Sequence, residues 1–380
     1  MGERKRIGIV YLYDKSWLGG VYYIQNLLIA LNTLNDDKKF AIDLYCLNDD
    51  SFNDLKLSTN YPYLEKRIIK ISVFRKAWRK LLSFISKSAS LNVNFFEVNP
   101  KDIILYPYSE GSYVEKLLYW KMDFQEKYLP EFFSEKRIQM RDRGLRNVCK
   151  RGIPIVFSSK DSQNDFFKFY PEYKDNKTFV VHFAVHQPDF SYIDIVELQK
   201  KYQITKPYFF CANQFWQHKN HLRLFKAFKK VLDSGKNMQL VCTGNLSDYR
   251  NSNYPDEIRS FISSNSLEND ILILGMIPKD ELLCLMKNSY AVVQPSLFEG
   301  WNTTVEDCKA MSKFVFLSDL SVHREQIDKN VCFFNPTNEI DMAEKLLMIE
   351  PYETKFDYSN NITSFADDFY KIVETIERSN

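Results

Sequence analysis

Apolar residues in this chain arrive in short runs, each followed by a polar turn and then by a stretch whose apolar positions recur every three or four residues. The runs read as buried strands and the spaced stretches as helices with one apolar face. Ile7-Gly-Ile-Val-Tyr-Leu12 predicts the first strand. After it, residues 17–31 predict a loop carrying Gly19 and Gly20 that feeds an amphipathic helix. Residues 41–46, 102–107 and 154–159 continue the strands. The pattern restarts at Tyr208-Phe-Phe-Cys-Ala212, behind a polar, proline-containing stretch from 187 to 207. From there strands are expected at 239–244, 271–275, 291–294 and 314–318, and helices at 222–232, 255–264 and 279–287. Such alternation implies parallel sheets with helices on both faces. The expected fold is α/β: two Rossmann-like domains facing across a cleft, residues 1–190 and 191–355. A last helix, about 362–378 within a segment 356–380, could cross back to the first domain.

Composition narrows the class. The chain has 380 residues, more than one compact core usually organises. Its net charge of +2 argues against whole-molecule attraction to nucleic acid. The start, Met1-Gly-Glu-Arg-Lys-Arg6 before a six-residue apolar run, is too short for a membrane span and lacks a small-residue cleavage site, which reads as a cytoplasmic protein. Seven scattered cysteines without a C-x-x-C pair indicate neither disulfides nor zinc. No histidine precedes residue 182, so the segment before it offers no catalytic imidazole.

The densest chemistry lies in Ser296-Leu-Phe-Glu-Gly-Trp-Asn-Thr-Thr-Val-Glu-Asp-Cys-Lys-Ala-Met311. Here a strand ends, Glu299 stands at its carboxyl edge, and Gly300 allows a close turn into a helix. The first helical amides have no internal partner and sit at the positive end of the dipole, which suits a diphosphate. Glu306 and Asp307, about two turns on, could accept hydrogen bonds from sugar or ribose hydroxyls. A helix that merely starts with acidic residues is the plainer reading.

Taken in order, these parts resemble the retaining glycosyltransferases of family four, glycosyl transferases group 1, which have the GT-B fold. The resemblance rests on the Gly19-Gly20 loop, Asn213-Gln-Phe-Trp-Gln-His-Lys-Asn220, Gly244, Leu274-Gly275, Glu299-Gly300 with its downstream carboxylate, and Ser318-Asp-Leu-Ser-Val-His-Arg-Glu-Gln326. It implies a nucleotide diphosphate sugar as donor substrate, with no further cofactor and no metal. Glu299 would lie near the donor sugar or its leaving phosphate. The family's second glutamate falls on Asp307, with Glu306 just before it, so two residues compete for the ribose. Trp301, Asn302, Thr303 and Thr304 would offer amides to the diphosphate, or the threonines simply cap the helix. Lys219 would stabilise charge growing on the leaving diphosphate, unless it is an ordinary solvated lysine. Gln214 replaces an arginine, which leaves His218 or another residue to supply the cation. Asn213, Gly244, Asn245 and Ile277 lie at strand-end loops where base or phosphate contacts would fall, or are ordinary turn residues. On the first domain Met122 replaces a histidine beside Asp123, so Asp123 and Glu126 would orient the acceptor hydroxyl or take its proton, unless either is a surface or capping carboxylate.

The function implied is transfer of a hexose, with retention, to a saccharide or lipid-linked saccharide hydroxyl in bacterial surface polysaccharide assembly. The alternatives are a sugar-nucleotide epimerase of the same fold and a non-catalytic subunit that binds a glycan or a partner. Residues 73–87, with arginines and lysines beside Phe74, Trp78, Leu81 and Ile85, suit either a peripheral anionic membrane contact or a solvated basic face.

Overall fold

The computed structural model describes residues 4–11, 18–68, 104–107, 116–248 and 250–378. The basic stretch 73–87 lies outside them. In the first unit the strands are β1 (Arg6–Val10), β2 (Ala41–Cys46), β3 (Leu64–Ile68), β4 (Ile104–Tyr106), β5 (Tyr119–Lys121), β6 (Ile155–Phe157) and β7 (Thr178–Val180). They form parallel sheets ordered β3-β2-β1-β4 and β5-β6-β7. Leu105 joins the two, accepting from Leu118 N and donating to Lys116 O, each at 3.1 Å.

The second unit contains β8 (Tyr208–Ala212), β9 (Gln239–Thr243), β10 (Ile271–Ile273), β11 (Ala291–Gln294), β12 (Val315–Ser318) and β13 (Val331–Phe334). Their parallel order, β10-β9-β8-β11-β12-β13, runs one way from β8 and the other way from β11. Connections leaving two neighbouring strands toward opposite faces of the sheet open a crevice at their carboxyl ends. That crevice lies between the loops after β8 and β11. Apart from the polar, buried Gln294 and the half-buried Ala212 at their carboxyl ends, both strands are apolar and buried, so it is chiefly the loop residues beyond them that meet solvent.

Four strands depart from the sequence expectation. β3 reads Leu-Glu-Lys-Arg-Ile with only Leu64 buried, the composition of a charged sheet edge, so it carries no apolar run. β5 and β7 are three residues long, and β13 is only partly buried. Gly19 and Gly20 lie not in a loop but in the first turn of the helix Leu18–Asn32. There Gly19 is exposed and Gly20 buried. The cysteines are free and, except for half-buried Cys332, buried.

The last helix, Ser359–Glu377, packs Phe365, Phe369, Ile372 and Val373 into the first unit's core, beside Tyr23, Leu27, Leu31 and Phe40. The two units also touch directly. A Cβ on Gly300 would overlap the carbonyl oxygen of Met122 and come within 2.9 Å of Asp123 Cβ, so the second unit's loop meets the first unit where only glycine fits. On one flank Arg250 donates to Gln125 Oε1 at 3.0 Å, and the Tyr128 and Phe298 rings lie 5.5 Å apart. On the other, Trp301 Nε1 donates to Phe183 O at 3.1 Å, and the His182 ring stacks on Trp301 at 4.5 Å. Glu325 accepts from the amides of Lys160 and Asp161 at 2.6 and 2.9 Å, so a side chain of one unit caps the other unit's helix Lys160–Phe169.

Two outcomes follow from this seam. Gly300→Ala should part the units, raising the radius of gyration in small-angle X-ray scattering while the circular dichroism spectrum stays that of the wild type. An unchanged radius would show that the seam absorbs the methyl group. The Asp161 carboxyl is pushed up to about 6 by burial, then by Asp165 and Glu325. A carboxyl raised above its unfolded value near 3.8 binds protons more tightly in the native state, so its contribution is full below that value and lost as pH rises through about 6. Asp161→Asn removes this loss. Its stability relative to the wild type, measured by urea unfolding, should therefore improve between pH 4 and pH 7; a pH-independent difference would contradict the assignment.

Candidate functional site

The loop after β8 is clipped to the loop after β11 before any functional side chain is placed. Asn220, in the left-handed conformation at φ 63°, donates its amide to Pro295 O at 2.9 Å and to Pro336 O at 2.8 Å. His218 O accepts from Leu297 N at 2.8 Å, and Asn213 Nδ2 donates to Gln294 Oε1 at 2.6 Å. These bonds bring Lys219 Nζ to 2.6 Å from Glu299 Oε1, with 15% and 10% of the two side chains exposed. Gly244, at φ 133°, lets the loop after β9 lie against Asn213, whose carbonyl a Cβ would overlap. Gln214 bridges this loop to the next, accepting from Asn245 N at 3.0 Å and donating to Met276 Sδ at 3.5 Å.

The helix Thr303–Met311 starts at this point. Its cap is Asn302, whose Oδ1 accepts from Thr304 N at 2.9 Å and Val305 N at 3.3 Å, so neither threonine caps it. The Asn302 amide is itself given to Gln326 Oε1 at 3.2 Å. Of the four amides expected to face a diphosphate, those of Asn302 and Thr304 are therefore committed. Those of Trp301 and Thr303 remain at the open helix end.

Helical geometry separates the competing carboxylates, since successive residues point about 100° apart. Asp307 lines the cleft, with Oδ2 at 2.7 Å from Lys279 Nζ and Oδ1 buried without a partner. An unsatisfied buried acceptor costs about 1–3 kcal/mol, which a ligand hydroxyl would relieve. Glu306 turns away. Its Oε1 accepts from Lys309 at 3.0 Å and Gln326 at 2.9 Å, and its Oε2 from the Tyr358 hydroxyl at 2.6 Å, which leaves it no freedom to hold a ribose.

On the facing domain Gly19, Tyr22, Trp120, Met122, Asp123, Ser158 and Phe183 complete a cleft of about 340 Å³. Trp120 is fixed there by stacking on Tyr23 at 3.9 Å and by donating to Ser158 Oγ at 2.9 Å. Asp123 Oδ1 accepts from Gln125 N at 3.1 Å and Arg141 Nη2 at 3.2 Å. Glu126 does not reach the cleft. It is buried between Lys121 and Arg141, each at 3.0 Å, and an acceptor hydroxyl has no path to it.

His218 also lies behind the cleft wall. Burial, then the charges of Lys219 and Arg250, holds its imidazole well below the ordinary value. It is neutral, accepts from Arg250 at 2.8 Å, and cannot replace the missing arginine. Gly20 and Asn245 stay off the cleft surface, whereas Asn213, Gln214, Gly244, Ile277 and the run Glu299–Thr304 form it. Arg324 pairs with Asp319 at 2.5 Å, and Glu325 belongs to the domain seam. Lys279 was not anticipated from sequence. Its signal was a lysine opening a helix behind the turn Gly275-Met-Ile-Pro278. Among the described residues no three His, Cys, Asp or Glu side chains converge as a metal site.

Residues 194–362 match the family described as glycosyl transferases group 1. The chain is 25% identical over 248 residues to the O-antigen chain mannosyltransferase RfbU of Salmonella typhimurium, covering 64% of this chain and 64% of that relative's length. In structure it resembles a glycosyltransferase from Rickettsia africae at a TM-score of 0.60 and 15% identity, over 99% of this chain and 94% of that one. Anabaena HepE in complex with UDP and glucose gives 0.60 at 15% identity, over 98% of each chain. WaaG, a glycosyltransferase involved in lipopolysaccharide biosynthesis, gives 0.57 at 11% identity, over 97% of this chain and 98% of its own. These likenesses show the fold, GT-B.

Proposed function

We propose that this chain, a group 1 glycosyltransferase by its second domain and a GT-B protein by its fold, transfers a hexose from a nucleotide diphosphate sugar to a saccharide hydroxyl in assembly of a bacterial surface polysaccharide. The observation that carries the reading is the Lys219–Glu299 pair at the switch point of the second sheet, beside an open helix N-terminus and facing the first domain across the cleft. The naming of RfbU as an O-antigen mannosyltransferase and of WaaG as a lipopolysaccharide glycosyltransferase supports the pathway. HepE, solved with UDP and glucose, supports the donor class.

The chemistry proposed is front-face displacement with retention. As the bond from the anomeric carbon to the diphosphate oxygen breaks, its electron pair stays on the diphosphate. Lys219 and the amides of Trp301 and Thr303 meet that growing charge, so they stabilise the transition state more than the bound donor and supply this function from the protein's own groups. The acceptor oxygen bonds to the same face of the sugar, and its proton passes to the departing phosphate oxygen. Asp123, beside Gly300 on the opposite wall, orients that hydroxyl. A lipid-linked acceptor at the cytoplasmic membrane surface, contacted through residues 73–87, belongs to the same proposal. Among the described residues no helix is long and apolar enough to cross a membrane.

Lys219→Ala and Glu299→Ala should each lower turnover by more than about tenfold in an assay with uridine, guanosine and thymidine diphosphate hexoses. Nucleotide release should require the acceptor, which an epimerase would not, and proton NMR of the product should show the donor's anomeric configuration retained. Wild-type turnover in both variants would sink the donor-site assignment.

A further inference from the structure

Behind the Lys219–Glu299 pair stands an imidazole that the transfer step leaves unused. His323 lies on the helix Ser321–Gln326, between the two ends of the loop that carries Glu299. At one end Ser318 Oγ donates to Gln294 O at 2.9 Å. At the other, Gln326 accepts from Asn302 N at 3.2 Å and donates to Asn302 O at 2.8 Å. The ring is fully buried, with Nδ1 at 2.8 Å from Ser318 O. A carbonyl only accepts, so the ring proton sits on Nδ1 and Nε2 carries a lone pair. That Nε2 is buried without a partner. Burial holds the imidazole below its ordinary value and therefore neutral; of the charges around it Glu299 acts most strongly, drawing the value up, while Lys219 opposes and Asp319 adds a smaller upward pull. The other charged groups near this helix are committed elsewhere, Arg324 to Asp319, Glu325 to His182 and to the amide of Asp161, and Glu306 to Lys309 and Tyr358.

A buried lone pair whose strongest charged neighbour is a carboxylate gains a hydrogen bond to it only by gaining a proton. In the free protein Lys219 holds Glu299 and opposes that proton. A donor diphosphate draws the ammonium toward its own negative charge and leaves Glu299 short of a cation. We propose that His323 then takes a proton from solvent at Nε2 and holds the Glu299 carboxylate, replacing Lys219 as its partner while Lys219 serves the leaving group. This inference rests on the donor-site reading and assigns His323 as a positioning residue, which acts through Glu299 and touches no substrate. One N–H bond forms when the donor binds and the same bond breaks when the nucleotide departs and Lys219 returns, so the cycle consumes no proton.

Calorimetric titration of the full chain with uridine, guanosine and thymidine diphosphate hexoses, without acceptor and in buffers of different ionisation enthalpy, tests it. The diphosphate diester does not titrate between about pH 5.5 and about pH 8, so the buffer dependence reports protons taken by the protein. The wild type should take up protons on binding, approaching about one per donor at the pH midway between the free and bound values of the ring. Nitrogen NMR of the histidines should show the His323 ring pass from the neutral Nδ1–H form to imidazolium as donor is added. His323→Gln should bind the same donor without the uptake. Lys219→Ala should lose the uptake as well, because there the Glu299 charge is unopposed and the ring is protonated before the donor arrives. The spectra are those of the wild type, so they decide the question even where His323→Gln does not fold. A ring that stays neutral in the donor complex, or uptake that persists in His323→Gln, would overturn the exchange of partners while leaving the donor site standing. A wild type that binds none of the three donors would overturn both.

Discussion

Two opposite charges, Lys219 and Glu299, come from loops eighty positions apart and are held at 2.6 Å. Neither loop achieves this alone. The strand order of the second sheet brings the ends of β8 and β11 together, and Asn220, Asn213 and the Leu297 amide then bind one loop to the other. A partly buried pair of this kind gains from reduced solvent screening only when its geometry is fixed beforehand. The backbone clips provide that fixation, so that the charges need not organise the loops.

Beyond this pair the site depends on one residue without a side chain. Gly300 follows Glu299 directly and meets the Met122 carbonyl of the other domain. The same loop thus carries the charge pair, the domain contact and, through Trp301, the stack with His182. Its successor Asn302 is tied through Gln326 to Glu306, and Glu306 through Tyr358 to the Val185 amide. The start of the helix Thr303–Met311 is in this way connected to the linker and to the returning C-terminal segment by buried hydrogen bonds, which hold only while every member is paired.

Much of this was legible in the chain, wherever apolar runs were long or turns chemically marked. The helix Lys279–Lys287 and the strand Ala291–Gln294 fall where the pattern puts them. The strands that escaped are those whose pairing, not whose composition, makes them strands: β3 as a charged edge, β5 and β7 as three-residue pieces. At the site, residue type was readable and orientation was not. Glu306 and Asp307 are adjacent and alike in chemistry, and only the rotation of the helix sends one to the core and one to the cleft. Glu126 resembled an available base because its partners, Lys121 and Arg141, do not mark themselves as buried. Lys279 remained unseen because its carboxylate lies twenty-eight residues away, beyond the reach of any local pattern.

The helix Ser359–Glu377 has a consequence for how the protein is made. The second domain is continuous in the chain and can close its core as soon as it leaves the ribosome. The first domain cannot, because Phe365, Phe369 and Val373 of this last helix share one core with Leu27, Leu31 and Phe40. The half of the protein that is synthesised first is thus completed last. Until that helix arrives its place in the first domain's core is unfilled, and the second domain is finished before the wall that faces it.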